Sequence, residues 1–231
     1  MHPTALNWGE RFFATYTHPK ARVVLDVGSQ DVNGSLKSVC PPSLEYTGVD
    51  FVPGKGVDVV LEDPYKLPFA DEHADFVVCN SVFEHSEMFW LLFVEILRVL
   101  KPEGVFYLCV PANGLFHRYP VDCWRFYPDS GRALVAWARR CGFDPQLLES
   151  FTGDQGGGGG EEGTWNDCVA VFLKDRRLAE RYPRRIMDTA TNFTNGVRDA
   201  GADFLKPVDY PEDMAKIQVI GQLSRGLLKL K

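Results

Sequence analysis

The feature that most constrains this chain is the run Arg22-Val-Val-Leu-Asp26, a stretch of aliphatic residues that stops at an acid and is followed at once by Gly28. Such a run has no polar face, so it suits a strand covered on both sides, and strands of that kind belong to parallel sheets. Gly28 lets the backbone turn sharply where the strand ends, with no Cβ to hold a ligand away. A second apolar run, Glu45-Tyr-Thr-Gly-Val-Asp50, closes on another acid whose oxygens can each accept from one of two neighbouring ribose hydroxyls. The same two runs also suit an ordinary strand-to-helix turn with solvated carboxylates.

Strand and helix patterns then alternate, the sequence form of a parallel sheet with helices on both faces. A short helix is expected over residues 35–40, before Pro41-Pro42, and a short third strand over 57–60. Residues 74–79 read as the fourth strand. Phe89, Phe93, Ile96, Leu97 and Leu100 recur at helical spacing with Glu95, Arg98 and Lys101 facing away, and Lys101-Pro-Glu-Gly104 closes that helix. Residues 104–110 make a fifth strand. Asp129 is placed to cap a helix through Ala133, Leu134, Trp137 and Ala138, and strands six and seven fall at 146–151 and 167–173. Residues 153–163, with five consecutive glycines, predict a mobile hairpin-like connection between the last two strands.

Beyond Lys174 the strand pattern disappears. Arg176, Arg177, Arg181, Arg184 and Arg185 have only Asp175 and Glu180 nearby, a basic patch of the kind that is usually a solvated face. Ile217, Ile220, Leu223 and Leu227 repeat near helical spacing, so the C-terminal segment is expected to dock on the rest of the chain or on a second copy, as a homodimer contact. Three regions result: an N-terminal helical segment over 1–21, a central unit over 22–174 and an extension over 175–231.

Composition narrows the partners. Twenty-five Lys and Arg against 31 Asp and Glu leave a net charge of −6, which disfavours the phosphate backbone of a nucleic acid. Six scattered cysteines with no CxxC pair fit a reducing, cytoplasmic setting. No apolar run approaches the eighteen or more residues of a membrane span, and the N-terminus lacks the basic start and apolar core of an export signal, so a soluble, unexported protein is expected.

The motifs between these elements resemble those of the small class I S-adenosylmethionine-dependent methyltransferases, over roughly residues 22–174. Asp26 and Gly28 match the start of that family's DxGxGxG loop, while Gln30 and Val32 stand where later glycines are usual. Asp50 matches the ribose-binding acid. Glu62-Asp63-Pro64-Tyr-Lys-Leu-Pro-Phe69 resembles the segment around adenine, and Asn80-Ser81-Val-Phe-Glu-His85 the stretch beside the methionine. Leu97-Arg-Val-Leu-Lys-Pro-Glu-Gly104 resembles the LRxLKPGG connection. The resemblance implies a Rossmann-like, doubly wound α/β sheet of seven strands, mostly parallel with an antiparallel last strand, plus a C-terminal helical extension. It implies S-adenosylmethionine as cofactor, released as S-adenosylhomocysteine, with no metal expected. The residues implied to hold it are Asp26, Gly28, Ser29, Gln30, Asn33 and Asp50, then Phe51, Glu62, Asp63, Pro64, Asn80 and Ser81. Within that set, Asp63 would read the adenine edge while Leu67 or Phe51 covers a face.

Acceptor chemistry is expected in residues 111–128, because open parallel sheets bind ligands beyond the carboxyl ends of their strands. His117, Arg118, Tyr119, Asp122, Trp124 and Arg125 are too polar and aromatic for a plain connection, and related methyltransferases carry an HxxPxDYWRF stretch there, with Cys123 here at the tyrosine. His117 first, then His85, has the ordinary pKa of a base near neutrality. Arg118, Tyr119 and Trp124 are candidates for holding the acceptor, and Asp122 and Arg125 join the catalytic candidates. Equally, Asp122 and Arg125 can pair within one turn, Trp124 can pack over the sheet with Phe126, and either histidine can be a structural donor. The leading functional reading is methyl transfer to an O or N atom of a small polar molecule, a specialised metabolite or a sugar. Methylation of a peptide or other macromolecule and a non-catalytic cofactor-binding subunit stand beside it. A nicotinamide-dependent dehydrogenase ranks last, since the spacing from Gly28 to Gly34 does not provide GxGxxG.

Overall fold

The computed structural model describes residues 3–155, 165–199, 201–209 and 212–228. Strands β1 (Val23–Val27), β2 (Glu45–Asp50), β3 (Val59–Val60), β4 (Ala74–Asn80) and β5 (Leu100–Pro111) run parallel, in the spatial order 3-2-1-4-5. Strand β7 (Asp167–Leu173) pairs antiparallel with β5 and with β6 (Gln146–Gly153). At the edge, β8 (Phe193–Arg198) pairs antiparallel with β6. The doubly wound α/β sheet expected from the sequence is present, with eight strands in place of seven. The eighth escapes the sequence pattern because Phe193-Thr-Asn-Gly-Val-Arg198 buries only Phe193, Gly196 and Val197, and Asn195 takes a left-handed φ of 49° that breaks the alternation.

Alternation along β5 separates the two cores. Val105, Tyr107 and Cys109 face helix α1 (Pro3–Tyr16), whose Trp8, Phe12, Phe13 and Tyr16 are buried on the sheet. Phe106, Leu108 and Val110 face the opposite layer, which holds α2 (Phe89–Val99) and α3 (Asp129–Arg140). The sheet is thus covered on both sides where its strands are wholly apolar, as the first strand's composition requires.

Several local expectations change. The helix foreseen at 35–40 is a single 3-10 turn, Leu36–Ser38, started by the Ser35 hydroxyl accepting from Lys37 N–H. Asp129 is the first residue of α3 and caps nothing; its carboxylate pairs with Arg132 at 2.7 Å. The buried face of α3 is Gly131, Leu134, Val135 and Ala138, leaving Ala133 and Trp137 exposed. Helix α2 ends at Val99, and Glu95 and Arg98 do not point into open water. Glu95 accepts from Leu67 N–H, while Arg98 donates to the carbonyls of Leu67 and Phe69 and grips Glu95 at 2.7 and 2.9 Å. Lys101, already in β5, pairs with Asp75.

The basic patch is likewise only partly solvated. Arg185 is buried, donating to Leu148 O at 2.8 Å and pairing with Asp199. Beside it, fully buried Glu149 accepts from the Tyr16 hydroxyl at 2.6 Å and from Ile186 and Met187 N–H at 2.7 and 3.1 Å. These bonds anchor the chain after β7 to α1 and the sheet. Helix α4 (Glu212–Ser224) buries none of its residues. No described helix is long and apolar enough to cross a membrane. The hairpin expected from the glycine run falls mainly on 156–164, outside the described residues.

Candidate active site

The strand order reverses between β1 and β4, since β2 and β3 continue to one side and β5 to the other. In open α/β sheets the crevice beyond the carboxyl ends of the strands at such a reversal is the general place for ligands. Gly28 stands at its floor with φ of 83°, and a Cβ built on it would lie 2.0 Å from Val82 Cγ2, so only glycine lets the loop after β1 lie against the turn after β4. That loop is pinned to β2: Gly28 and Ser29 N–H both donate to Val49 O, and Gln30 N–H donates to Asp50 Oδ2 at 3.2 Å. Asp50 Oδ1 takes Val52 N–H at 3.1 Å, which leaves lone pairs on both oxygens for a ligand.

Asp26 lies in β1 under the same crevice, 4% exposed, accepting from the Tyr46 hydroxyl at 2.6 Å. Burial pushes its carboxyl up to about 7, Tyr46 draws it down and the charge of Asp50 adds to the rise. Asn80 ends β4 and Ser81, with a left-handed φ of 56°, turns the chain back across the strand ends. The Asn80 amide donates to Ser81 Oγ at 3.1 Å, leaving its buried Oδ1 without a partner; buried Ser29 Oγ has none either. A donor-rich ligand in the crevice would satisfy both.

The remaining cofactor candidates line the β2–β3 side. Phe51, Glu62, Asp63 and Pro64 are exposed beyond those strand ends, and Asp63 Oδ1 holds Tyr65 N–H at 2.8 Å. Leu67 is 1% exposed and belongs to the core beneath α2, so of the two residues expected to cover a flat ring only Phe51 is available. Asn33 is exposed farther along the β1 loop.

The loop from Pro111 to Pro128 forms the other wall. Asp122 and Arg125 pair with each other, at 2.5 and 2.8 Å, and the guanidinium holds the Asp122 carboxyl at about 2. Asp122 also accepts His117 N–H at 2.7 Å, and Arg125 donates to Leu115 O, so both act within the loop. Trp124 packs against Phe89 and Trp90 with its indole N–H on Ser86 O. Of the packing alternative, the Asp122–Arg125 pair is present, whereas Trp124, 37% exposed, packs at the start of α2 and not over the sheet with Phe126. Tyr119 reaches over to donate its hydroxyl to Gln30 Oε1 at 2.7 Å, tying the two loops together, and Arg118 is exposed.

His85 and His117 come from separate segments and meet edge to face, ring centroids 4.9 Å apart. His85 Nδ1 lies 2.5 Å from Val121 O, and burial lowers its pKa. Between this pair and the core sits Glu84, a residue the sequence reading quoted in a motif without giving it a role. It is 1% exposed, its Oε1 lies 3.7 Å from His85 Nε2, its Oε2 has no partner, and burial pushes its carboxyl up to about 8. The signal was an acid between Phe83 and His85 at a strand end, where an apolar or exposed residue is usual.

Residues 25–108 match the family described as a methyltransferase domain. An uncharacterized methyltransferase of Mycobacterium tuberculosis is 32% identical over 114 residues, covering 44% of each chain. This chain therefore spans less than half the length of the curated relatives it matches. Among solved structures, the 1,6-didemethyltoxoflavin-N1-methyltransferase of Burkholderia thailandensis, crystallised with that compound and S-adenosylhomocysteine, has a TM-score of 0.52 at 16% identity, covering 74% of this chain and 78% of that one. The cyclase SpnF, with a TM-score of 0.52 at 15% identity, covers 74% of this chain and 81% of its own. These two share the fold, and they show that one fold hosts more than one chemistry.

Proposed function

We propose that this chain, whose residues 25–108 match the methyltransferase-domain family, moves a methyl group from S-adenosylmethionine to an oxygen or nitrogen atom of a small polar molecule. The observation that carries the reading is the convergence, at the β1/β4 reversal, of Gly28, two carboxylates and two buried polar atoms that lack partners. Asp50 would hold the ribose hydroxyls with its spare lone pairs. Phe51, Glu62, Asp63 and Pro64 would surround adenine, and Gly28, Ser29, Gln30 and Asn33 would follow the thioether chain. Asn80 Oδ1 and Asp26 would take the methionine ammonium, with Ser81 beside them.

When bound, S-adenosylmethionine supplies an electrophilic methyl group on a cationic sulfur. The protein's part is placement: holding an acceptor at about 3–3.5 Å in line contributes roughly 7–11 kcal/mol. The acceptor would lie between the turn after β4 and the loop of Arg118 and Tyr119, with His85 and His117 at its wall. Arg118 is the exposed cation for an anionic group, since Arg125 is engaged by Asp122.

The reading is tested by incubating the protein with methyl-labelled S-adenosylmethionine and a cell extract fractionated by size. Label in the low-mass fraction is the expected result. Label only on macromolecules would replace the small-molecule acceptor with a protein or nucleic-acid one. S-adenosylhomocysteine binding with no transfer to any fraction would favour a non-catalytic subunit. One observation bears on partners: Met214, Ile217, Val219 and Ile220 are exposed on α4, which suits contact with a second copy.

A further inference from the structure

Glu84 and His85 follow β4, and His117 comes from the loop after β5, yet one ligand atom from each lies within 4.8 Å of the others. We propose that these three side chains bind a divalent first-row transition ion at the acceptor end of the crevice, leaving further coordination positions open to water and to an acceptor oxygen. The family resemblance implies no metal, and no short motif marks this cluster, since two ligands are adjacent and the third is 32 positions away.

The hydrogen bonds around the cluster prepare it for a cation. His85 Nδ1 faces only the carbonyl of Val121 at 2.5 Å, and His117 Nδ1 faces Leu115 O at 3.2 Å and Asp122 Oδ2 at 3.5 Å. All three are acceptors, so both rings carry their proton on Nδ1 and present a bare Nε2 lone pair. Orientation of a metal-binding imidazole by a carbonyl or carboxylate on its other nitrogen is the usual supporting arrangement. Glu84 is 1% exposed and its Oε2 has no hydrogen-bond partner. A bound cation would give that oxygen a partner, with Glu84 binding as the carboxylate and its proton passing to water.

Geometry and chemistry agree with this use. Ligands at about 2.0–2.2 Å from a tetrahedral ion stand roughly 3.3–3.5 Å from one another, so the cluster must contract by a little over an ångström. The Glu84 backbone is fixed, its carbonyl accepting Cys123 and Trp124 N–H at 2.7 and 3.2 Å, so the contraction falls to the side chains, of which His117 is the most exposed at 39%. Two imidazoles with one carboxylate favour a transition ion over Mg²⁺ or Ca²⁺, and a three-ligand set leaves an open face. Asp122 is held by Arg125 and serves to orient His117. Occupancy by the ion stands on this geometry alone. Its meaning for turnover rests on the methyl-transfer reading: a hydroxyl bound to the ion would release its proton to water more readily and present its oxygen to the methyl group.

The test uses Co²⁺ with the full chain, stripped of metal by a chelator and carrying Cys123→Ser to remove the exposed thiol nearest the cluster. Calorimetry should show one site, with visible d–d absorption and no thiolate charge-transfer band. His85→Ala and His117→Ala should each weaken Co²⁺ at least about tenfold, with His18→Ala, a remote histidine, unchanged. Glu84→Gln should do the same, and circular dichroism confirms that each variant is folded. Equal Co²⁺ affinity in the wild type and both histidine variants, or a thiolate band, overturns the proposal. S-adenosylhomocysteine affinity in the same proteins separates the two readings: cofactor binding without specific Co²⁺ binding removes the metal site and leaves the methyl-transfer proposal standing.

Discussion

Asp26 should make the empty protein less stable as pH rises, which is opposite to the usual behaviour of a carboxylate. The unfolded chain gives up this proton near 3.8, whereas burial under the crevice holds the folded carboxyl at about 7. Below 3.8 the group is neutral in both states and costs nothing. Between 3.8 and about 7 the unfolded state releases the proton while the folded state keeps it, so stability falls with pH, and above 7 the loss is complete. At about 1.4 kcal/mol for each pH unit, the difference amounts to roughly 4 kcal/mol. Asp26→Asn keeps an oxygen for the Tyr46 hydroxyl, bonded at 2.6 Å, and has no proton to lose. Urea unfolding of both proteins, without ligand, at pH 4, 5.5 and 7.5 should show the variant gaining on the wild type by up to that amount. Parallel stability curves, with a constant difference across the range, would refute the reasoning.

Gly28→Val should leave a folded but less stable protein that no longer binds S-adenosylhomocysteine, because its φ is 83° and the new Cβ would meet Val82 at 2.0 Å; wild-type affinity by calorimetry would remove Gly28 from the cofactor floor. Asp50→Ala should weaken the same ligand by about a hundredfold, the loss of charge-assisted bonds worth about 1.5–3 kcal/mol each, and a change under tenfold would exclude the ribose role. Glu149→Ala strands three buried donors, from Tyr16, Ile186 and Met187, and should cost at least about 3 kcal/mol in urea unfolding with little change in cofactor affinity. If α4 contacts a second copy, the double variant Ile217→Glu, Ile220→Glu should be monomeric in sedimentation where the wild type associates; a monomeric wild type sinks that contact.

The central strands were legible because burial on both faces leaves a continuous apolar run, and β1, β4, β5 and β7 carry that run. Strand β8 was not, since an edge strand with a left-handed Asn195 and only three buried residues looks like loop. Periodicity assigned Glu95 and Arg98 to water because it sees one helix at a time; their partners at 67–71 come from a different segment of chain. The same blindness hid Glu84. A sequence shows that an acid follows Phe83, and only the fold shows it facing two histidines drawn from positions 85 and 117. The Asp122–Arg125 pair was readable from spacing alone, being local, and the structure keeps it.

The Tyr119–Gln30 hydrogen bond makes one side chain serve both walls of the crevice. An incoming molecule whose donor takes the tyrosine hydroxyl's place on the Gln30 side-chain oxygen unfastens the opposite loop at the same moment. Filling one compartment and unlatching the other would then be a single event.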